Sequence, residues 1–484
     1  MTVTLGIDVG TFESKGVAVE DGRILAESRR PHGLDVKHPG WAEHDAEEVW
    51  WGDAAAIARD LTAQLGARKP EALAVSAIGP CCLPVDARGT PLRAGILYGV
   101  DARATEEIAL LNAQIGESRI LEECGVALNS QAVGPKILWL RREPHVWAAT
   151  ARLHTATSFI VERLTGAHVM DRYTAASWAP LFDIRAAEWG GTHGICEPAQ
   201  LPRLLWSAEI AGAVTPEAAA LTGLPENLPV TTGTIDAAAE AVSVGTSRPG
   251  DMMLMYGSTV FIILLSETRV TDPRLWAAPW LFPGLHAAMA GLATSGTLTQ
   301  WFRELTAPHL PRDDAFATLA AEALASPPGA RGLVALPYFS GERTPLHDPG
   351  ARGAILGLDL THTRGDLYRA LLEGIAAATR HVVETFRDAG APPLRALAVG
   401  GGTRTEAWLQ ATSDMTGLPQ TLARTTTGAA YGDAFLAAQA LGLSPDMALW
   451  NPPARTVEPR AIPAYDAHWR TFRLLHDRTR DLLP

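Results

Sequence analysis

Within TTGTIDAAAEAVSVG, residues 231–245, a single carboxylate, Asp236, stands among glycine, threonine and alanine. Small residues allow close packing or the close approach of a ligand. No basic residue lies nearby in sequence to pair with the acid. Two readings follow: an Asp capping the helix that the alanines begin, or a general base at the floor of a tight cleft. Three glycine-rich turns carry other chemistry. DVGTFESK (8–15) offers backbone N–H groups and a hydroxyl in a tight hairpin, suited to phosphate oxygens, and YGST (256–259) offers the same from the other half. AVGGGTRT (398–405) follows a short apolar strand and precedes a helical pattern, so its glycines let backbone approach a ligand. None matches the P-loop or the dinucleotide fingerprint. Their division between two half-chains suits a nucleotide clamped between domains.

The elements that must hold these turns are legible in outline. Val3, Leu5, Ile7 and Val9 alternate with Thr4, Gly6 and Asp8, which predicts a strand. Gly10-Thr11 turns the chain, Val17 and Val19 run back, and GRILAES (22–28) predicts a third strand. A helix follows over 45–65, with Asp45 and Glu48 as its capping pair and Gly66 as its stop. EALAVSAIG (71–79) then predicts another strand, giving an α/β pattern. MMLMYGSTVFIILL (252–265) reads as two buried strands around a turn, and is too short and interrupted to span a bilayer. The two hairpins, one opening each half, suggest duplicated domains facing each other over a cleft, with a boundary at 245–250. A long helix is predicted over 363–388, with Thr363 and Asp366 as its capping pair and Leu367, Leu371 and Ile375 on one face. The proline-rich stretch 452–463 reads as surface wrapping.

Composition narrows the classes. A chain of 484 residues is expected to form more than one domain. A net charge of −12 argues against nucleic acid or an anionic membrane as partner. Cys81, Cys82, Cys124 and Cys196 lack C-x-x-C spacing, which reads as free thiols in a reducing cytoplasm. The N-terminus shows no export signal. His38, His44 and Asp45 lie together, but their spacing suits no common metal site and structure is favoured.

These segments, in this order, resemble the FGGY carbohydrate kinases of the actin-like ATPase superfamily. GIDVGTFESK is similar to the family's first phosphate loop, GTIDAAAEAVSVG to its catalytic-Asp segment and YGST to its second phosphate loop. GLATSGTLTQWF (291–302) resembles its nucleotide-facing segment, YFSGERTPLHDPGARGAILGLDLTHTRGDLYRALLEGIA (338–376) its C-terminal signature and VGGGTRTEAWLQATSDMTGLP (399–419) its adenosine loop. The resemblance implies two actin-like, ribonuclease H-like α/β domains around a central cleft, each with a mixed sheet flanked by helices. Residues 1–245 would form the sugar-binding domain with the first phosphate loop and the catalytic Asp. Residues 246–484 would form the nucleotide-binding domain.

It also implies roles. Asp236 would be the base that accepts the proton of the attacking sugar hydroxyl, and Asp8 would hold Mg²⁺ near the ATP phosphates. Thr11, Lys15, Gly257, Ser258 and Thr259 would contact phosphate, with Gly296 and Gln300 facing the nucleotide. Gly401, Gly402 and Glu406 would meet the adenosine end. Substrate selection would lie in 76–104, through Gly79, Pro80, Cys81, Asp101 and Asp236. YGVDARA (98–104) resembles the family's Trp-x-Asp-x-Arg stretch, with Tyr98 in place of Trp, and Asp101 would accept from sugar hydroxyls unless it is spent on a salt bridge with Arg103. Gly79-Pro80-Cys81-Cys82 departs from the Gln-Met-His-Gly usual in xylulokinases, and the Arg-Glu pair usual in glycerol kinases is also missing.

The expectation is therefore a cytoplasmic ATP- and Mg²⁺-dependent kinase of a small sugar, foremost a ketopentose such as D-xylulose. Ribulose, erythritol or glycerol would be alternative substrates, and a homodimer is one option for assembly. A non-transferring actin-like ATPase, or a sugar-binding regulator without activity, would be the readings from other classes.

Overall fold

The computed structural model describes residues 2–480. It forms two compact units. The first contains the chain up to Gly245 together with Glu267–Ala287 and Thr427–Pro452. The second contains Thr246–Ser266, Ala288–Thr426 and the chain from Pro453 onward. Where the sequence reading had one continuous block per half, both units are discontinuous.

In the first unit, β1 (Val3–Val9) and β2 (Glu13–Glu20) form an antiparallel hairpin, and β3 (Arg23–Pro31) continues it. The helical segment begins with a π-helical turn at Ala46–Trp51, where the Asp45 carboxylate accepts from the Glu47 and Glu48 amides at 2.9 Å. It proceeds as α1 (Gly52–Leu65) and stops at Gly66, whose φ of 62° favours glycine. β4 (Ala72–Ala77) runs parallel to β1. Further strands are β5 (Ile210–Ala213), β6 (Pro229–Thr231) and β7 (Thr234–Ile235), the last leading directly into α2 (Asp236–Ser243). The sheet order is β5-β6-β4-β1-β2-β3, with β7 pairing on β4.

In the second unit, β8 (Asp251–Tyr256) and β9 (Val260–Ser266) form the expected hairpin around Gly257–Thr259. β10 (Arg395–Val399) runs parallel to β8, followed by β11 (Gln420–Ala423) and β12 (Pro453–Val457). The hairpin-plus-parallel-strand pattern of β1, β2 and β4 thus recurs in β8, β9 and β10, and both sheets are mixed. The helices used below are α3 (Gly296–Thr306), α4 (Arg364–Asp388) and α5 (Glu406–Thr416). The Thr363–Asp366 capping box of α4 is formed.

The chain then returns to the first unit as α6 (Ala429–Ala440). This helix explains a departure from the strand pattern of β1, which is buried along its whole length and not on one face only. A Cβ at Gly6 would lie 1.9 Å from the Ala430 carbonyl oxygen, so α6 sits directly on the β1 backbone. A Cβ at Gly432 would lie 2.0 Å from the Ala239 carbonyl oxygen, so α6 also sits on α2. One buried helix therefore touches both the strand carrying Asp8 and the helix carrying Asp236. Among the described residues, no helix is long and apolar enough to cross a membrane.

Candidate active site

The acids of the first unit converge. Asp8 lies near the end of β1, with Lys15 opposite it in the β2 register and Ser76 opposite it in the β4 register. Burial pushes the Asp8 carboxyl well above the usual carboxylate range, and Asp236, Asp433 and Glu240 push it further. Lys15 alone acts in the opposite direction among the groups that move it. The Gly10-Thr11 turn is pinned from outside by His32, whose Nε2 lies 3.1 Å from the Gly10 carbonyl oxygen. His44 is engaged by the Trp50 indole N–H at 3.2 Å, and Asp45 by its capping bonds, so both serve structure.

Asp236 is the first residue of α2, after Ile235 at the N-cap position. Its Oδ1 accepts from the Ala237 amide at 2.7 Å. The capping reading gains that one bond; the side chain itself stays half-buried. Burial raises its carboxyl to about 7, with Glu240 adding to the rise and the Ala237 N–H opposing it. A carboxylate poised there accepts protons near neutral pH, as a general base must. Glu240, one turn further along α2, is also raised, by burial first, and accepts from the Ala429 amide at the start of α6.

The segment 79–82 lies beside this acid. A Cβ at Gly79 would come within 2.8 Å of Ile235, which leaves no room for a side chain next to Asp236. The Gly79–Pro80 peptide bond is cis. Cys81 is a correction: its side chain is fully buried in the apolar core of the first unit, with Sγ donating to the Ile78 carbonyl oxygen at 3.3 Å. Burial pushes both the Cys81 and the Cys82 thiol upward, so neither is a reactive thiolate.

Asp101 is also fully buried. It accepts from Arg103 Nε at 2.9 Å and Nη2 at 2.6 Å, and from the Ala42 amide at 2.7 Å. Arg103 stacks on Trp41, 4.0 Å from the ring centre, and pairs with Glu43 at 2.8 Å. The salt bridge weighed from the sequence therefore exists, in the interior and not on the surface. With both oxygens engaged, the Asp101 carboxylate has no accepting direction left for a sugar hydroxyl in this conformation. Buried Lys136 donates to the Tyr98 carbonyl oxygen at 2.8 Å, and burial lowers it to about 8 against the pull of Asp101.

In the second unit the β8–β9 turn, the start of α3 and the third glycine loop converge, while the Gln300 and Glu406 side chains turn to other partners. The amides of Gly296 and Thr297 donate to the Gly257 and Ser258 carbonyl oxygens, both at 3.1 Å, which ties the start of α3 to the β8–β9 turn. A Cβ at Gly400, whose φ is 95°, would lie 2.6 Å from the Tyr256 carbonyl oxygen, so the third glycine loop lies against the same turn. Ser258 and Gly401 are exposed, and nothing lies within 4 Å of a Cβ built on Gly401. Gly402 differs, because a Cβ there would meet the Trp408 ring at 2.5 Å. Thr259 closes the turn through its carbonyl oxygen, which accepts from the Gly257 amide at 3.1 Å. Gln300 bonds Glu304 on α3, and Glu406 pairs with Arg455 at 2.7 Å.

Sequence reasoning missed several participants. Glu240 stands four residues after Asp236, a spacing that puts both on one helix face. Asp433 is the one acid in the buried helix AAYGDAFLAAQA, an anomaly visible in sequence. Ser76 carried no signal. Asp171 accepts from Ser207 and Thr234 hydroxyls at 3.0 Å, bracing the strand before Asp236, and burial raises it to about 6.

Comparison with known proteins places the whole chain. The model of the FGGY family of carbohydrate kinases, N-terminal domain, matches residues 3–243, and that of its C-terminal domain matches 252–441. A xylulose kinase of Escherichia coli (strain K12) is 29% identical, over 99% of both chains. A glycerol kinase of Nocardia farcinica is also 29% identical, over 98% of this chain and 96% of its own. The crystal structure of xylulose kinase from Rhodospirillum rubrum superposes with a TM-score of 0.92 at 35% identity, covering 99% of each chain. Two family models that together span nearly the whole chain leave one conclusion: the protein belongs to the FGGY family of carbohydrate kinases.

Proposed function

We propose that this protein transfers the γ-phosphate of ATP to a hydroxyl of a ketopentose, D-xylulose foremost, with Asp236 as general base. The observation that carries the chemistry is a half-buried carboxylate at the start of α2, raised to about 7, beside the buried acid Asp8. The choice of sugar rests on the similarity to xylulose kinases at 29% and 35% identity.

In this reading the first unit binds sugar and supplies the base. The hydroxyl oxygen attacks the γ-phosphorus, its proton passes to the Asp236 carboxylate, and the bond to the ADP oxygen breaks in line. Thr11 and the Lys15 ammonium would take phosphate charge from the first unit. Gly257, Ser258 and Thr259 would do so from the second, with Gly296, Gln300, Gly401, Gly402 and Glu406 toward the nucleoside. Asp101 belongs to the proposed sugar wall, and its contribution is to hold Arg103 and the 98–101 turn in place.

Asp8 is the residue that would hold Mg²⁺. Among the described residues no three His, Cys, Asp or Glu side chains form a ready metal cage. A lone carboxylate in acidic surroundings still fits a hard cation that completes its shell with phosphate oxygens and water. When bound, magnesium neutralises phosphate charge and orients the γ-phosphate. The buried free cysteines suit a reducing cytoplasm.

A second reading is a kinase of another pentulose or a polyol. It is favoured by the glycerol kinase at the same 29% identity and by the absence, at 79–82, of the Gln-Met-His-Gly usual in xylulokinases. An ADP-release assay over pentuloses, hexuloses, tetritols and glycerol tests both. Highest kcat/KM on D-xylulose supports the first; a polyol or another pentulose at the top replaces it with the second. ATP hydrolysis unaffected by every sugar would reject both.

A further inference from the structure

Ser76 sits between the two strands that lead to the acids, opposite Asp8 in β1 and opposite Thr234 in β7. Its hydroxyl carries one proton and has two carboxylates within reach. Asp433 Oδ2 lies 2.6 Å from Ser76 Oγ, and Asp8 Oδ1 lies 3.4 Å from it. The first is a strong O–H···O distance and the second is beyond a good one, so with the Asp433 carboxyl ionised the Ser76 proton points to Asp433. The Ser76 amide donates to the same Asp433 oxygen at 3.1 Å. Asp433 Oδ1 has no hydrogen-bond partner among the described residues, so the whole hydrogen bonding of this carboxylate falls on one serine.

Asp433 is held there by backbone packing. A Cβ at Gly6 would lie 2.9 Å from Asp433 Cβ and 2.6 Å from the Ala434 nitrogen, and the Thr4 hydroxyl donates to the Ala434 carbonyl oxygen at 2.8 Å. A fully buried carboxylate on an alanine-rich helix is costly unless it is well paired, and among the described residues this one has Ser76 alone as its hydrogen-bonding partner.

We propose that Asp433 is a positioning residue of the phosphoryl-transfer site: by accepting the Ser76 hydroxyl proton it keeps Asp8 free of a serine hydrogen bond and open to the cation that accompanies ATP. This rests on Asp8 holding that cation. Without the acceptor on α6, the Ser76 hydroxyl turns to Asp8, where it must be displaced before a cation can bind.

The test is Mn²⁺ binding in the presence of ADP, read from the electron paramagnetic resonance of free Mn²⁺. Asp433→Ala should weaken Mn²⁺ by about tenfold, the cost of competing with one charge-assisted hydrogen bond. Asp433→Asn, whose amide oxygen still accepts from Ser76, should stay within about threefold of the wild type, and Ser76→Ala likewise. Ser76→Ala combined with Asp433→Ala should recover the affinity that Asp433→Ala loses, a rescue that a purely structural role does not give. Unchanged affinity in Asp433→Ala, failure of the rescue, or an Asn variant as weak as the Ala variant overturns the proposal. Should Asp433→Ala not fold, a loss of Mn²⁺ affinity in Ser76→Ala overturns it. Asp8→Ala separates the premise from the inference: if it leaves Mn²⁺ binding unchanged, the role given to Asp8 fails whatever Asp433 does.

Discussion

Asp236 must be ionised to accept a proton, yet its surroundings resist ionisation. Burial and Glu240 hold its proton to about pH 7, so on this reading kcat/KM should lose activity as pH falls through about 7, while a base with an ordinary carboxylate value would hold its activity to about pH 4. Asp236→Asn should cost at least ~100-fold in turnover and leave ATP affinity, measured by calorimetry, near the wild type. A variant retaining a tenth of the activity would remove Asp236 from the base role. The nucleotide side calls for a more careful choice of residue. Gly402→Ala tests packing, because its new Cβ meets Trp408; Gly401 opens to solvent. Gly401→Trp should keep the melting temperature within about 2 °C and weaken ATP, which calorimetry and thermal unfolding together decide. At this scale the local structure around Asp8 and Asp236 and the glycine turns were legible, because a hairpin turn and a helix start are decided by neighbours in sequence. Asp433 was not, since it reaches Ser76 from 357 residues away. Cys81 misled for a related reason: a loop position in the sequence became a core position once β4 and its neighbours packed over it.

Elements were read well where one face decides them. The 363–388 helix, its capping box and both hairpins follow from periodicity and local bonding. β1 was harder, since its alternation reads as one buried face while the structure covers two. The difference is α6, whose closeness to β1 is set by glycine at position 6 and whose closeness to α2 is set by glycine at 432. Neither requirement shows in local sequence. Gly6→Ala must push α6 off β1 or bend the strand, and overpacking of this kind costs about 1–3 kcal/mol. We expect a fall in melting temperature of several degrees, about 2–4 °C per kcal/mol, by calorimetry or circular dichroism. An unchanged transition would mean that α6 is free to shift, and would weaken the claim that it fixes Asp433.

Across the whole molecule the buried acids set a pH dependence of stability whose sign can be worked out. Burial raises Asp236 and Glu342 to about 7, and burial with neighbouring acids raises Asp8 and Asp433 well above their usual range. A raised carboxyl stabilises the fold fully below its unfolded value near 4, and that contribution is lost as pH rises through the folded value. Buried histidines act the other way: His44, His168 and His468, each lowered to about 4, destabilise the fold as pH falls below their unfolded value near 6.5. Above about 6.5 the histidine contribution fades, and is spent about one pH unit higher, while the acids still titrate. Lys136, lowered to about 8, begins to add stability only above that pH. Between pH 6.5 and 8 the acids therefore act against a fading histidine contribution, and the melting temperature of the ligand-free protein should fall by about 2 °C or more. On the proposal that Asp8 holds the cation, ADP with Mg²⁺ takes the deprotonated form of that acid and should raise the melting temperature more at pH 8 than at pH 6.5. Differential scanning calorimetry at both pH values, with and without ADP and Mg²⁺, measures the two effects together. A flat profile without ligand would mean that these carboxyls are ionised in the fold at little cost, and a ligand effect equal at both pH values would separate them from the nucleotide's cation.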